Sequence, residues 1–171
     1  MFNTKKLIVV SFLFPLIIGV RFNNLRCALL RWAGAKIGKN VEIMPSAKFL
    51  GNYSLIIGNN CFIGNQALLF GAKDSVIELE NFSKIGSRTT IVTGTHRFSV
   101  DGDCIEKEGA FKNIKISKGA VVSTGSIILP GITVHEMAHV AAGSVVTKDV
   151  LAFHRVAGVP ARVIRDLRDN I

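Results

Sequence analysis

Three shortages narrow what this chain can be. Its 171 residues include three cysteines, Cys27, Cys61 and Cys104, odd in number and without CxxC spacing. That pattern excludes a disulfide framework and a structural zinc knuckle, and it points to a reducing, cytoplasmic setting. Acidic residues are missing from the N-terminal segment: Lys5, Lys6, Arg21, Arg26, Arg31, Lys36 and Lys39 all precede Glu42, the first acid. A long hydrophobic run is also lacking. Residues 7–20, LIVVSFLFPLIIGV, are fourteen residues with Pro15 in the middle, whereas a straight spanning helix needs about 20. No small-x-small cleavage pattern follows; the next residues are Arg21, Phe22 and Asn23, so a removable signal peptide is not indicated.

The formal net charge of +9 raises nucleic acid as a partner. No nucleic-acid-binding motif is present, and the basic residues alternate with Leu and Phe instead of forming a polar stripe. Nucleic acid is therefore not the expected partner. A segment both basic and apolar, continued by the amphipathic RFNNLRCALLRWAG of residues 21–34, suits an anionic membrane surface on the cytoplasmic side. The alternative is a hydrophobic arm packed on a neighbouring subunit.

What the chain does have is a period. Ile116, Val122, Ile128, Val134, Val140 and Val146 recur every six residues. Earlier ladders keep that interval: Ile37, Ile43, Phe49 and Leu55, then Ile57, Ile63 and Leu69, then Leu79, Ile85 and Ile91. A small residue often stands two places before the rung (Cys61, Ala67, Ser83, Thr89, Ala120, Ser126, Ala138, Ser144), and Gly often follows it. Neither the 3.6 period of a helix nor the alternation of a flat strand produces a strict six. A chain that bends after every short strand does: three strands close a triangular coil, and stacked coils bury a continuous aliphatic column.

These hexads resemble the hexapeptide-repeat acyltransferases over roughly residues 36–165. The resemblance implies an all-β fold, a left-handed parallel β-helix, which is an exception to the right-handed crossover preference. The expected organisation is an N-terminal apolar and partly helical segment over 1–35, a β-helix over 36–157, and a C-terminal helical extension over 158–171. The ladder breaks after Ile91 and resumes at Ile116, so a loop insertion is expected at about 97–115. Function in a solenoid concentrates in such insertions.

Within the family, the sugar-, galactoside- and maltose-type O-acetyltransferase branch has a similar His at the base of a protruding loop. His96, after Thr93-Gly94-Thr95, holds that place here, which implies a general base that takes the proton of an acceptor hydroxyl. The text ISKGAVVSTGSIILPGITV…VAAGSVVTKDV…VAGVPARVIR resembles the part of these enzymes where acetyl-CoA lies between subunits. By position, the backbone at Thr124 and Ala142 corresponds to pantetheine contacts, and Thr147, Lys148, Arg162 and Arg165 to contacts at the nucleotide end. Ser123, where Gly is usual, and Val121, where Trp is common, depart from the pattern. Asn65 and Gln66 are candidates for acceptor binding. The resemblance implies an acetyl-CoA-dependent O-acetyltransferase, homotrimeric and without metal. Its acceptor would be a saccharide hydroxyl in capsule, exopolysaccharide or lipopolysaccharide assembly, with direct transfer in a ternary complex. Cys104, in the loop with His96, offers the alternative of a thioester relay.

One motif competes. HEMAH, residues 135–139, matches the HExxH zinc-protease pattern, which requires a helix to put both histidines on one face. Here it fills one hexad between Val134 and Val140, with Ala138 in the small-residue place, so a coil edge is expected and the match is accidental. Two other functions share the fold. A carbonic-anhydrase-like metalloenzyme would assemble three histidines across an interface; His96, His135 and His139 would suffice in number, but the spacing of the last two departs from that pattern. A non-catalytic scaffold is the other.

Overall fold

The computed structural model describes residues 1–100 and 106–170. Its rungs fall on three parallel sheets. Ile37, Ile57, Leu79, Ile116 and Val134 pair in succession on a first face. Ile43, Ile63, Ile85, Val122, Val140 and Val156 do so on a second. Phe49, Leu69, Ile91, Ile128 and Val146 form the third. Consecutive hexads thus visit the three faces in turn, which is the expected parallel β-helix. Every rung from Ile43 onward is buried, and an aliphatic side chain so removed from water stabilises the fold by about 1.5–3 kcal/mol.

The small residues before the rungs are buried too. They sit where the chain turns inward, and their hydroxyls bond to the bent backbone. Ser126 Oγ and Ser144 Oγ donate to the Ala141 carbonyl at 3.0 and 2.7 Å, and Thr89 Oγ1 donates to the Ser123 carbonyl at 3.2 Å. A buried hydroxyl left without a partner would cost about 1–3 kcal/mol, so the corner geometry selects Ser, Thr or Ala.

The coils are not equal. From third face to first, Phe49 to Ile57 is eight residues, Leu69 to Leu79 ten and Ile91 to Ile116 twenty-five, where a regular hexad has six. All the extra chain therefore leaves at one corner. In the first coil it brings in Tyr53, fully buried, whose hydroxyl donates to the Leu69 carbonyl at 3.1 Å. The Tyr53 ring lies so close over Gly71 that a Cβ there would stand 2.1 Å from Cγ; only glycine fits. In the second coil, Ser75 Oγ meets Thr93 Oγ1 at 2.7 Å, and Thr93 Oγ1 accepts from the Ala72 N–H at 2.8 Å. The third excursion is the arm described below.

The N-terminal end of the stack is covered. Helices α1 (Thr4–Leu13) and α2 (Asn23–Trp32) precede the first coil. Asn3 caps α1, accepting from the Lys6 N–H at 3.2 Å. Phe14 packs edge-on against Phe49 at 5.8 Å, and Phe2 against Tyr53 at 5.1 Å. The polar side chains of α2 serve the open backbone edge. Asn23 bonds to both the Val41 carbonyl (2.7 Å) and the Ile43 N–H (2.9 Å). Buried Arg26 donates to the carbonyls of Ile43, Ile17 and Gly19 at 2.9, 3.0 and 2.9 Å, and Arg31 to those of Ile37 and Gly38 at 3.1 and 2.8 Å. Part of the basic bias before residue 41 is thus structural, since a guanidinium is a pure donor and suits an edge of carbonyls.

The far end corrects an expectation. Residues 158–171 do not begin a helix: His154–Gly158 and Ala161–Asp166 form an antiparallel hairpin that extends the second face, and the helical part is the 3₁₀ turn Leu167–Asn170. Backbone groups at the edge of that sheet pair with the backbone of a strand, whereas a helix would have only side chains to offer them.

Candidate active site

The break after Ile91 is built as a β-hairpin arm. Gly94–Phe98 pairs antiparallel with Glu106–Phe111, setting Thr95 opposite Ala110 and His96 opposite Gly109. The expected loop is therefore ordered pairing at its base, and the chain is back in the coil by Ile114. Thr93 anchors the arm: it is buried, its N–H donates to the Phe70 carbonyl at 3.1 Å, and its carbonyl accepts from the Lys112 N–H at 3.0 Å. The ladder is irregular between His96 and Phe98, a local bulge of the kind that re-aims side chains. His96 is exposed on this arm. Its ring lies across Gly109, where an added Cβ would stand 3.9 Å from Cδ2 and Nε2. Cys104 lies outside the described residues.

The other candidates occupy different places. Asn65, Ser87, Thr124 and Ala142 stack on the corner between second and third faces. The residue after each of the last three donates its N–H to the carbonyl one coil back: Arg88 to Asn65 (2.8 Å), Gly125 to Ser87 (2.9 Å) and Gly143 to Thr124 (2.9 Å). Gln66, next to Asn65, donates its N–H to Ser46 Oγ at 3.0 Å. Thr124 and Ala142 are thus brought together, both exposed, while Thr147 and Lys148 follow the strand Val145–Val146 on the far side of the third face. Arg162 and Arg165 stand on the terminal hairpin, opposite Ala157 and Arg155. Within one chain, His96 is at a different corner from Thr124 and Ala142.

HEMAH is a turn and a strand. The Ala138 N–H returns to the His135 carbonyl at 3.2 Å, Met137 takes a positive φ of 54°, and His139 opens the strand His139–Val140. His135 is exposed, while His139 is half-buried and bonded through Nε2 to Ser123 Oγ at 2.8 Å. No helix underlies the motif, so the zinc-protease geometry is absent. Among the described residues, no group of three or more His, Cys, Asp or Glu side chains is placed to hold a metal ion.

The Ser123–His139 pair was not foreseen in the sequence. Its residues are sixteen apart, and only the coil length brings them together. The sole hint is the Ser at a place where Gly is usual. Burial, then the nearby charges of Arg155 and Arg165, hold the His139 imidazole below its ordinary value, which favours the neutral ring. Its charged neighbours are arginines, not the carboxylate that would orient a base, so the pair reads as a fixed polar contact.

Comparison with known proteins decides the family. WcaF of Escherichia coli K12, named as an acetyltransferase of colanic acid biosynthesis, is 32% identical over 141 residues, covering 82% of this chain and 74% of its own. The chain belongs to the hexapeptide-repeat acetyltransferases. The galactoside O-acetyltransferase of the same strain is 30% identical over 147 residues, covering 85% of this chain and 70% of its own. A hexapeptide-repeat acetyltransferase of Vibrio cholerae O1 biovar eltor, solved with acetyl coenzyme A, superimposes with a TM-score of 0.79 at 25% identity, over 95% of this chain and 86% of that one. No family model matches the sequence. As a hexapeptide-repeat acetyltransferase, the chain is an acyltransferase, and its solenoid is the left-handed parallel β-helix.

Proposed function

We propose that the protein is an acetyl-CoA-dependent O-acetyltransferase whose acceptor is a hydroxyl of a saccharide destined for a surface polysaccharide. Its relatives are named for colanic acid and galactosides, and the Vibrio structure holds acetyl-CoA. The observation that carries the reading is the arm: a hairpin anchored at buried Thr93 raises the His96 imidazole into solvent across Gly109. An imidazole there can take a proton from a bound hydroxyl, which is too weak an acid to ionise alone.

The transfer is direct. The acceptor oxygen forms a bond to the thioester carbonyl carbon while His96 accepts its proton. The tetrahedral intermediate then collapses, the C–S bond breaks, and the coenzyme A thiolate leaves and takes the proton from the imidazolium. Backbone groups at Thr124 and Ala142 meet the pantetheine arm, and Thr147, Lys148, Arg162 and Arg165 meet the nucleotide end, where phosphates attract cations. One chain sets His96 and the Thr124–Ala142 column on different corners, which supports a homotrimer with each site shared between two chains. The free, buried thiols of Cys27 and Cys61 suit a cytoplasmic setting.

The test is a thiol-release assay with acetyl-CoA over a panel of saccharides. Acetyl ester on a sugar hydroxyl, lost in His96→Ala, is the expected result; full activity of that variant sinks the mechanism. Light scattering is expected to give a trimer mass, and a monomer at assay concentration would count against the shared site.

A further inference from the structure

Beyond its first turn, helix α1 is apolar on every side but for Ser11. Its inner residues Leu7 and Val10, with Phe14 beyond, are buried against the first coil. Outside, Ile8, Val9, Phe12, Leu16, Ile18 and Val20 form a continuous exposed surface, with Phe12, Leu16 and Ile18 exposed to 75, 75 and 74%. A soluble surface rarely carries so dense an apolar patch without a partner. Beside it opens an apolar cleft of about 570 Å³ between α1 and the first coil, lined by Phe14, Pro15, Ile18, Pro45, Phe49 and Leu50.

Charge identifies the partner. Arg26 and Arg31 are used on the coil edge, but Lys5, Lys6 and Arg21 are exposed or partly exposed at the two ends of the apolar run. Two of them stand over aromatic rings at its margin: Lys6 Nζ lies 4.9 Å from the Trp32 centroid, and the Arg21 guanidinium 4.9 Å from that of Phe22. Aromatic rings paired with cations around an apolar face are the pattern of a lipid headgroup boundary. A second copy docked through the same face would bring like charges together, since no acid stands before Glu42. Helix α1 has ten residues and is about 15 Å long, half of a bilayer core. Among the described residues, no helix is long and apolar enough to cross a membrane.

We propose that this face seats the protein on an anionic lipid bilayer. The outer side chains of α1 and the following turns enter the acyl boundary, an acyl chain has room in the cleft, and Lys5, Lys6 and Arg21 meet the phosphates. The arm leaves the third coil, so His96 is raised from the first coil by two strand spacings, roughly 10 Å. That offset keeps the site in water but close to an acceptor held at the membrane.

Co-sedimentation of the full chain with vesicles tests this, and its readout does not depend on catalysis. Binding is expected to phosphatidylcholine vesicles containing phosphatidylglycerol, and to weaken in pure phosphatidylcholine and at high salt. Phe12→Asp/Leu16→Asp is expected to lower binding by roughly 100-fold or more, and Lys5→Glu/Lys6→Glu by roughly tenfold or more. Thermal melting of both variants verifies folding; the charge variant, which leaves the apolar packing intact, decides the matter if the first does not fold. Wild-type protein that stays in the supernatant with anionic vesicles overturns the proposal. So does a higher oligomer in light scattering that Phe12→Asp/Leu16→Asp reduces, because a second copy would then cover the face.

Discussion

The column of rungs and the arm are made from the same chain under opposite constraints. In the column, each residue's environment is set by the coil above and the coil below: Ile85 lies between Ile63 and Val122, fully buried. On the arm, His96 is exposed, with one paired strand beside it and no coil above or below. The two histidines make the contrast sharper. His139 is fixed in a strand of the stack, bonded to Ser123, and made less basic by burial. His96 stands where the stack has been left. A solenoid fixes each strand between its neighbours and leaves its insertions outside them, and the proposed base stands where the repeat stops.

That contrast can be broken by substitution. The largest effect on turnover is expected from His96→Ala, a fall in kcat of roughly 10²–10⁴-fold with melting temperature and acetyl-CoA affinity nearly unchanged. Steady-state kinetics beside a thermal melt would show both halves of that statement. Ile85→Ala should do the reverse. Denaturant unfolding is expected to show a loss of about 2–5 kcal/mol, while the fraction that remains folded turns over normally. A drop in turnover per folded molecule would mean that column and arm are coupled.

A smaller effect is expected of His139→Ala, which should change turnover by less than about threefold, since its imidazole has no acceptor proton to move. A loss comparable to that of His96→Ala would place the Ser123 pair in the reaction. The smallest effect is on pH dependence. Because the folded protein holds His139 below its ordinary value of 6.5, the unfolded chain binds more protons in acid. The contribution of His139 is then present above that value and fades as pH falls through the depressed one. Melting curves of wild type and His139→Gln should converge below pH 6.5 and separate above it; parallel curves would show that the ring does not report on folding.

How much of this was legible varied with how local the cause was. The rungs could be read because the coil imposes one requirement at every sixth place, and Val122 or Val140 meets it without knowledge of distant residues. Excursions at the third-to-first corner could be seen as lost rhythm, but the hairpin pairing of Thr95 with Ala110 could not, because that stretch has no clear alternation. The terminal strand Ala161–Asp166 reads as helix from sequence, since ARVIRDLRDN has helical composition and the demand for a strand comes from the open edge of the second face. The Ser123–His139 bond and the carbonyl caps of Arg26 and Arg31 depend on which residues coil length and helix placement bring together. For the candidate site, the break in the ladder that carries His96 was legible. The support of His96 by Gly109 and Thr93 became visible only in three dimensions.

The donors of α2 at one end and the hairpin at the other do more than satisfy backbone groups. A stack of identical-looking coils has no inherent reason to stop, and a bare coil edge is a template on which another molecule's edge can settle. Asn23, Arg26 and Arg31 fill that edge at the start, and at the finish Ala161–Asp166 turns back antiparallel on His154–Gly158 and breaks the parallel repeat of the second face. Each closure makes it harder for another copy to continue the stack. The same repetition that makes the scaffold simple to encode would, without those two closures, make it a seed for polymerisation.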